Sequence, residues 1–263
     1  MVETFPGALG ELRGGTSTGV ALSTTAAYIP IPKATKYLSL TPRDFTTGVV
    51  ARVGLCPWAL VLKTTDSGAT LTDYSSEAQD GSTATSVVLS SIGTAAQGDF
   101  LYVGCHVPFR GANIDIDAAN GTASTLTVKY WDGSAWTDIT ATDGTDSGGA
   151  SMAVDGSVTW TVPTDWAPTG LLVTGDFTAS LPGTGNKYYW TRWEWSVALD
   201  SSTTLDHLIC LPQSTAYAEL VTGQTLETGI QFGPDGFSSV EALMDAGTGK
   251  LVPVFGARGG RGF

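Results

Sequence analysis

The sequence is poor in charge, in cysteine and in long apolar runs. Only 14% of its 263 residues are Asp, Glu, Lys or Arg, against about 25% in an average soluble domain. No stretch approaches the roughly 18 apolar residues of a membrane span, and no basic region followed by an apolar one begins the chain. We therefore expect neither a membrane span nor a signal peptide. The odd count of three cysteines argues against a disulfide framework and favours a reducing compartment.

Positive charge is especially scarce, with 13 basic against 25 acidic residues and a formal net charge of −12. Such a chain repels a phosphate backbone, so we expect no nucleic-acid partner. The one basic cluster is the tail 250–263, in which Arg258 and Arg261 stand among glycines. We interpret this tail as a flexible or docked extension rather than a nucleic-acid contact, with both arginines as candidate partner-binding residues.

What the chain does have is the pattern of antiparallel strands. In residues 125–166, alternating apolar and polar runs are separated by Asp-Gly turns, which is typical of hairpins with one buried face. In residues 188–199 the odd positions, including Trp193 and Trp195, form a nearly all-apolar face, which we predict to be core. The even positions, including Trp190 and Arg192, form the other face. These patterns predict an all-β fold containing an antiparallel sandwich or jelly roll.

The distribution of strands predicts three parts. Residues 1–27, rich in Gly, Thr and Ala, are predicted to form an extended N-terminal arm. Residues 28–81 together with 213–263 are predicted to form a discontinuous docking β domain, into which the sandwich or jelly roll of residues 82–212 is inserted. The capping-box pattern from Ser238 to Glu241, with Gly247 as a stop, predicts one short helix over residues 239–246.

Residues that could carry chemistry do not form a recognisable site. Cys105 with His106, and His207 with Cys210, could in principle bind zinc. Side chains one or three positions apart on a strand point to opposite faces, so each strand can offer only one ligand to a given site. Residues 115–121 (DIDAANG) begin like a calcium loop but lack its fifth-position ligand, sixth-position glycine and distal glutamate. We predict no metal and no cofactor.

Catalysis is likewise not predicted. The many carboxylates lie in turns, where their hydrogen bonds to the backbone explain them, and the pattern singles out no pair for glycoside hydrolysis. The serines have neither a nearby histidine nor a nucleophile-elbow motif. We therefore expect a structural or binding protein and not an enzyme.

Tryptophan is the most informative residue type, because one predicted unit holds seven of them. Large aromatics can fill a thin sandwich core, and we assign Trp160, Trp193 and Trp195 to that role. Trp131 and Trp190 are the candidates for a surface role, because an exposed indole can anchor an interface or stack on a sugar ring.

Half of the chain, about residues 85–212, resembles a β-sandwich module found in virion structural proteins of tailed bacteriophages. The similarity is carried by the segments 100–111 (FLYVGCHVPFRG), 130–136 (YWDGSAW), 143–145 (DGT), 156–160 (GSVTW), 163–166 (PTDW) and 189–192 (YWTR). The resemblance brings no catalytic residue with it. Similar modules occur in head decoration, neck and tail components.

The resemblance implies a non-enzymatic virion protein, assembled in the host bacterial cytoplasm, that binds other particle proteins and forms homo-oligomers. The leading expectation is a capsid decoration or cement protein. Its termini would dock, with Val2, Phe5 and Leu9 as apolar contacts of the arm. The alternatives are a neck, tail or baseplate component, or a carbohydrate-binding module that recognises a host glycan through Trp131, Trp136 or Trp190.

Overall fold

The computed structural model describes residues 12–14, 19–65, 68–80, 82–90, 92–176, 186–215 and 217–256. The chain is all-β and sandwich-like, as predicted, and these residues contain no helix of seven residues or more. The strands are β1 Leu12–Gly14, β2 Val20–Leu22, β3 Ala27–Pro30, β4 Tyr37–Arg43, β5 Ala51–Pro57, β6 Leu60–Thr65, β7 Thr70–Asp73, β8 Val87–Val88, β9 Leu101–Cys105, β10 Gly111–Ala118, β11 Leu126–Trp131, β12 Trp136–Asp138, β13 Thr142–Asp143, β14 Gly156–Thr159, β15 Tyr189–Trp195, β16 Thr204–Cys210, β17 Ala218–Leu220, β18 Leu226–Gly229, β19 Phe237–Met244 and β20 Gly249–Gly256. Short 3-10 turns span Glu77–Gln79, Ala95–Gln97 and Leu171–Val173.

The chain divides into two compact units. The first unit comprises residues 1–56 and 214–263, and the second comprises residues 57–213. The predicted boundary at residues 81–82 is therefore wrong by about one hairpin. Strands β6 and β7, which the prediction placed in the docking domain, belong to the second unit, because β6 pairs with β9 as well as with β7. The polar segment that follows β7 connects two strands of the second unit and does not separate the two units.

The first unit contains two sheets. One has the order β1-β20-β4-β18, with β2 also paired to β20, and the other has the order β17-β5-β19-β3. Strand β17 lies antiparallel to β5, so that Ala218 pairs with Val53 and Leu220 with Ala51. Both sheets contribute to one apolar core, which includes Leu38, Leu40, Val53, Val240 and Leu251.

The predicted N-terminal arm is partly incorporated into this unit. Strands β1 and β2 both pair with β20, whose eight residues are long enough to accept two short partners. The side chain of Leu22 is 2% exposed and lies in the core. At β1 and β2, the extended arm predicted for residues 1–27 forms strands that lie on their own unit. Residues 1–11 and 15–18 lie outside the described part of the chain.

The predicted short helix is a strand. Residues Phe237–Met244 form β19, which lies between β5 and β3. Its alternate residues Val240, Ala242 and Met244 enter the core, as the two-residue period of a strand requires. The capping-box pattern is a local signal worth about 1 kcal/mol, whereas burial of these three side chains stabilises the strand by more than that.

The second unit is a sandwich with one six-stranded sheet, β12-β11-β15-β9-β6-β7, and one five-stranded sheet, β13-β14-β10-β16-β8. A central core lies between them. Trp160, Trp193 and Trp195 belong to this core, as predicted. Val197, on the same predicted face, is 46% exposed, because β15 ends at Trp195.

Candidate functional site

The predicted partner-binding residues have different outcomes. Val2, Phe5, Leu9, Arg258 and Arg261 lie outside the described residues. The prediction that the tryptophans Trp131 and Trp190 are surface residues is wrong, because their exposed fractions are 7% and 0%. Neither indole ring is an open platform for a partner or a sugar.

Trp190 is buried because the outer face of the six-stranded sheet is itself covered. It belongs to a second, smaller apolar cluster with Tyr102, Leu171 and Tyr188. Its indole nitrogen donates a hydrogen bond to the carbonyl oxygen of Thr169 at 2.9 Å. The segment around the 3-10 turn Leu171–Val173 thus packs on this face, so both faces of β15 are buried.

Trp131 and Trp136 face each other across the hairpin that joins β11 to β12. Their rings meet edge to face, with centroids 5.5 Å apart. Asp132 holds the turn by accepting hydrogen bonds from the backbone N–H groups of Ala135 and Ser134, each at 2.7 Å. These bonds, with that from Ala135 first, lower the pKa of Asp132 to about 2. Trp131 is buried, whereas Trp136 is half-buried.

The outer face of the same sheet also carries the largest set of charged contacts in the described residues, here called the Arg192 cluster: Arg192, Glu194, Asp176, Lys129 and Tyr102. The guanidinium of Arg192 lies 2.9 Å from Asp176 and 2.6 Å from Glu194. Lys129 lies 3.0 Å from the other oxygen of Glu194. The hydroxyl of Tyr102 donates to Asp176 at 2.9 Å. Every charge in the cluster therefore has a partner within the chain.

Aromatic rings enclose the guanidinium of Arg192. It lies 4.4 Å from the ring centroid of Phe100 and 5.1 Å from that of Trp136. Burial opposes its charge, but Asp176 and then Glu194 outweigh burial and raise the pKa of Arg192. The cluster ties Asp176, a residue of the covering segment, to the sheet. A satisfied ion-pair network of this kind is suited to holding structure and leaves no group free for acid–base chemistry.

The residues considered for zinc are separated by the strands that carry them. Cys105 and Cys210 are fully buried in the central core. The Nδ1 atom of His207 lies 3.3 Å from Asp115, outside that core. Within the described ranges, no group of three His, Cys, Asp or Glu residues could hold a metal ion.

A second concentration of charge lies on the five-stranded sheet. We call it the acidic face: Asp115 and Asp117 of β10, Asp206 and His207 of β16, and Asp155, next to β14. The strand pairing changes register here, because Asp115 pairs with His207 but Ile116 pairs with Leu205. Asp206 is the extra residue of this β-bulge.

Asp206 is in an unfavourable position for a carboxylate. The residue is 8% exposed, and its Oδ1 atom is buried without a hydrogen-bond donor. Burial, together with the negative charges of Asp117 and Asp115, raises its pKa. Asp155 adds to this effect even though one of its oxygens accepts the freed backbone N–H of Ile116 at 2.9 Å.

Replacing Asp206 by asparagine is expected to stabilise the second unit at pH 7. A carboxyl whose pKa is higher in the folded state contributes most to stability below its unfolded pKa of about 3.9 and loses that contribution as the pH rises through its folded pKa. The urea midpoint of Asp206→Asn should therefore exceed that of the natural protein at pH 7, and the two should converge towards pH 4. Asp138→Asn, at an exposed site, is the control. A lower midpoint for Asp206→Asn at pH 7 would contradict the assignment.

Comparison with known proteins adds no relative: no protein-family model, no curated protein and no solved structure matches the chain. In the part of the chain that the structure describes, no helix is both long and apolar enough to cross a membrane.

Proposed function

We propose that this chain is a non-enzymatic structural subunit of a tailed-phage virion, and specifically a capsid decoration or cement protein. The observation that carries the proposal, beside the resemblance of residues 85–212, is the division of charge between the units. Residues 57–213 contain seventeen acidic and five basic side chains, whereas the first unit contains eight of each. The whole net charge of −12 therefore belongs to the second unit.

This division supports different roles for the units. A neutral unit can approach another protein surface without electrostatic penalty, and we assign docking on neighbouring virion proteins to the first unit. A strongly acidic unit is kept soluble and apart from its own copies and from packaged nucleic acid by repulsion. We assign display, or bridging between neighbours, to the second unit.

The Arg192 cluster supports a structural rather than a catalytic role. Its two carboxylates, Asp176 and Glu194, are both paired with cations, and Arg192 is stacked between rings. The carbohydrate-binding alternative loses two of its three stacking residues, because Trp131 and Trp190 are buried. We therefore place the virion-structural role first.

Cryo-electron microscopy of purified particles tests the proposal. Density for this chain on the shell lattice would support the decoration role. Density confined to the neck or tail would keep the structural class and replace decoration by the neck, tail or baseplate alternative. Absence of the chain from particles would overturn the proposal.

Replacing Val2, Phe5 and Leu9 together by serine is expected to reduce incorporation into particles at least about tenfold. Burial of even one such side chain at an interface is worth about 1.5–3 kcal/mol, and 1.4 kcal/mol corresponds to a factor of ten in affinity. Copy number per particle is measured by quantitative gel densitometry, and circular dichroism checks the fold.

Val221→Ser is the control for this experiment, because Val221 is a 38% exposed apolar residue of the same unit. Unchanged copy number for the triple variant would contradict a docking role for the N-terminal residues.

A further inference from the structure

The acidic face carries negative charge that no lysine or arginine among the described residues pairs with. In the described part of the second unit, the ion pairs made by lysine and arginine belong to the Arg192 cluster on the other sheet. At the acidic face the one side chain that can become cationic is His207, which lies 3.3 Å from Asp115. The hydroxyl of Thr204 donates to Asp117 at 2.8 Å, which satisfies an oxygen without cancelling its charge.

Asp206 gives this face a feature that a solvated acidic patch lacks. It is more than nine-tenths buried, and its Oδ1 atom has no donor within the described residues. The Nε2 atom of the adjacent His207 is likewise buried without a hydrogen bond. A β-bulge redirects a side chain at the cost of local pairing, and bulges are common beside functional sites. A cation placed against such a carboxylate would relieve its unfavourable burial.

We propose that the acidic face is a docking surface for a basic protein segment, one that places an arginine against Asp206 and further positive charge against Asp115, Asp117 and Asp155. The carboxylates are not grouped closely enough for three of them to hold a metal ion. An arginine has five donors in a planar fork and is weakly hydrated, so it suits a partly buried carboxylate flanked by others. Neighbouring basic residues of the segment would complement the remaining charge.

This inference does not rest on the virion assignment, because the acidic face can be tested on the full chain in solution. A fluorescein-labelled hexa-arginine peptide is the probe, and its binding is followed by fluorescence anisotropy at low salt. We expect saturable binding by the natural protein. Asp206→Asn should weaken it at least about fivefold, which corresponds to roughly 1 kcal/mol. Asp206→Glu, which keeps the charge, should bind within about twofold of the natural protein.

Asp138→Asn is the matched control, because it removes the same charge from an exposed position on the other sheet, and its asparagine oxygen can still accept the N–H of Thr140. It should leave affinity within about twofold. An equal loss for Asp138→Asn and Asp206→Asn would reduce the binding to net charge and overturn the proposal. So would unchanged affinity of Asp206→Asn, provided that its unfolding transition shows it to be folded.

Calcium provides the remaining test. Calcium chloride is titrated into the natural protein and Asp206→Asn by isothermal calorimetry. We expect no stoichiometric binding that depends on Asp206. Stoichiometric calcium binding that is lost in Asp206→Asn and that displaces the peptide would instead identify a metal site and overturn the proposal.

Discussion

Replacing Trp190 by alanine is expected to destabilise the second unit by about 3–5 kcal/mol, the range for removing a large aromatic side chain from a core. Its side chain has no exposed surface, and it packs against Tyr188 with ring centroids 5.8 Å apart. The variant also removes the indole donor that satisfies Thr169. Urea denaturation followed by tryptophan fluorescence measures the effect on this unit alone, because all eight tryptophans lie in residues 57–213.

Gly104 provides a coupled control for Trp190. A methyl group at Gly104 would overlap the Trp190 ring, so Gly104→Ala should cost about 1–3 kcal/mol by overpacking. The double variant should lose less stability than the sum of the two single losses, because the new methyl group enters the space that the Trp190 ring vacates. Val197→Ala, at an exposed site, should change stability by less than about 0.5 kcal/mol. A cost below 1 kcal/mol for Trp190→Ala would contradict the packing described.

Replacing Arg192 by methionine is expected to cost about 3–5 kcal/mol, because it leaves the buried Glu194 and the half-buried Asp176 without their main cation. The side chains of Glu194 and Asp176 are only 9% and 17% exposed. Methionine keeps much of the apolar contact with Phe100 and Trp136, so that the loss reports on charge. The same fluorescence-detected urea transition gives the free energy of unfolding.

Arg52 is the matched control for Arg192. It pairs with Glu219 at 3.7 Å, and the two side chains are 45% and 60% exposed. Arg52→Met should cost less than about 1 kcal/mol, measured by circular dichroism because its unit contains no tryptophan. A similar small cost for Arg192→Met would mean that the Arg192 cluster does not hold the covering segment.

The parts of the fold that were predictable from sequence are those governed by a two-residue period. Trp193 and Trp195 entered the central core because they alternate with polar neighbours along one strand. The same period runs through Val240, Ala242 and Met244, but the helix-start pattern beside them predicts a helix. Tertiary burial overrides such a local signal, and without knowing the neighbouring strands β5 and β3 the competition could not be decided.

The candidate site was less predictable, because alternation says that a strand has two faces but not whether both are covered. The alternation places Trp190 and Arg192 on the face opposite the predicted core, and the covering segment that contains Leu171 and Asp176 has no strand or helix periodicity. One signal was available. A strand that alternates Trp193 and Trp195 with Trp190, Arg192 and Glu194 has no face that is purely hydrophilic, which indicates burial on both sides.

Strands β5 and β17 pair with each other although nearly the whole second unit lies between them in the sequence. Seen from the first unit, these strands form one hairpin, and residues 57–213 are its loop. The free-energy cost of closing a loop, which is entropic, rises by only about 0.6 kcal/mol for each doubling of the loop's length. We therefore expect the first unit to accept a short turn, or an unrelated domain with adjacent ends, in place of its present insert.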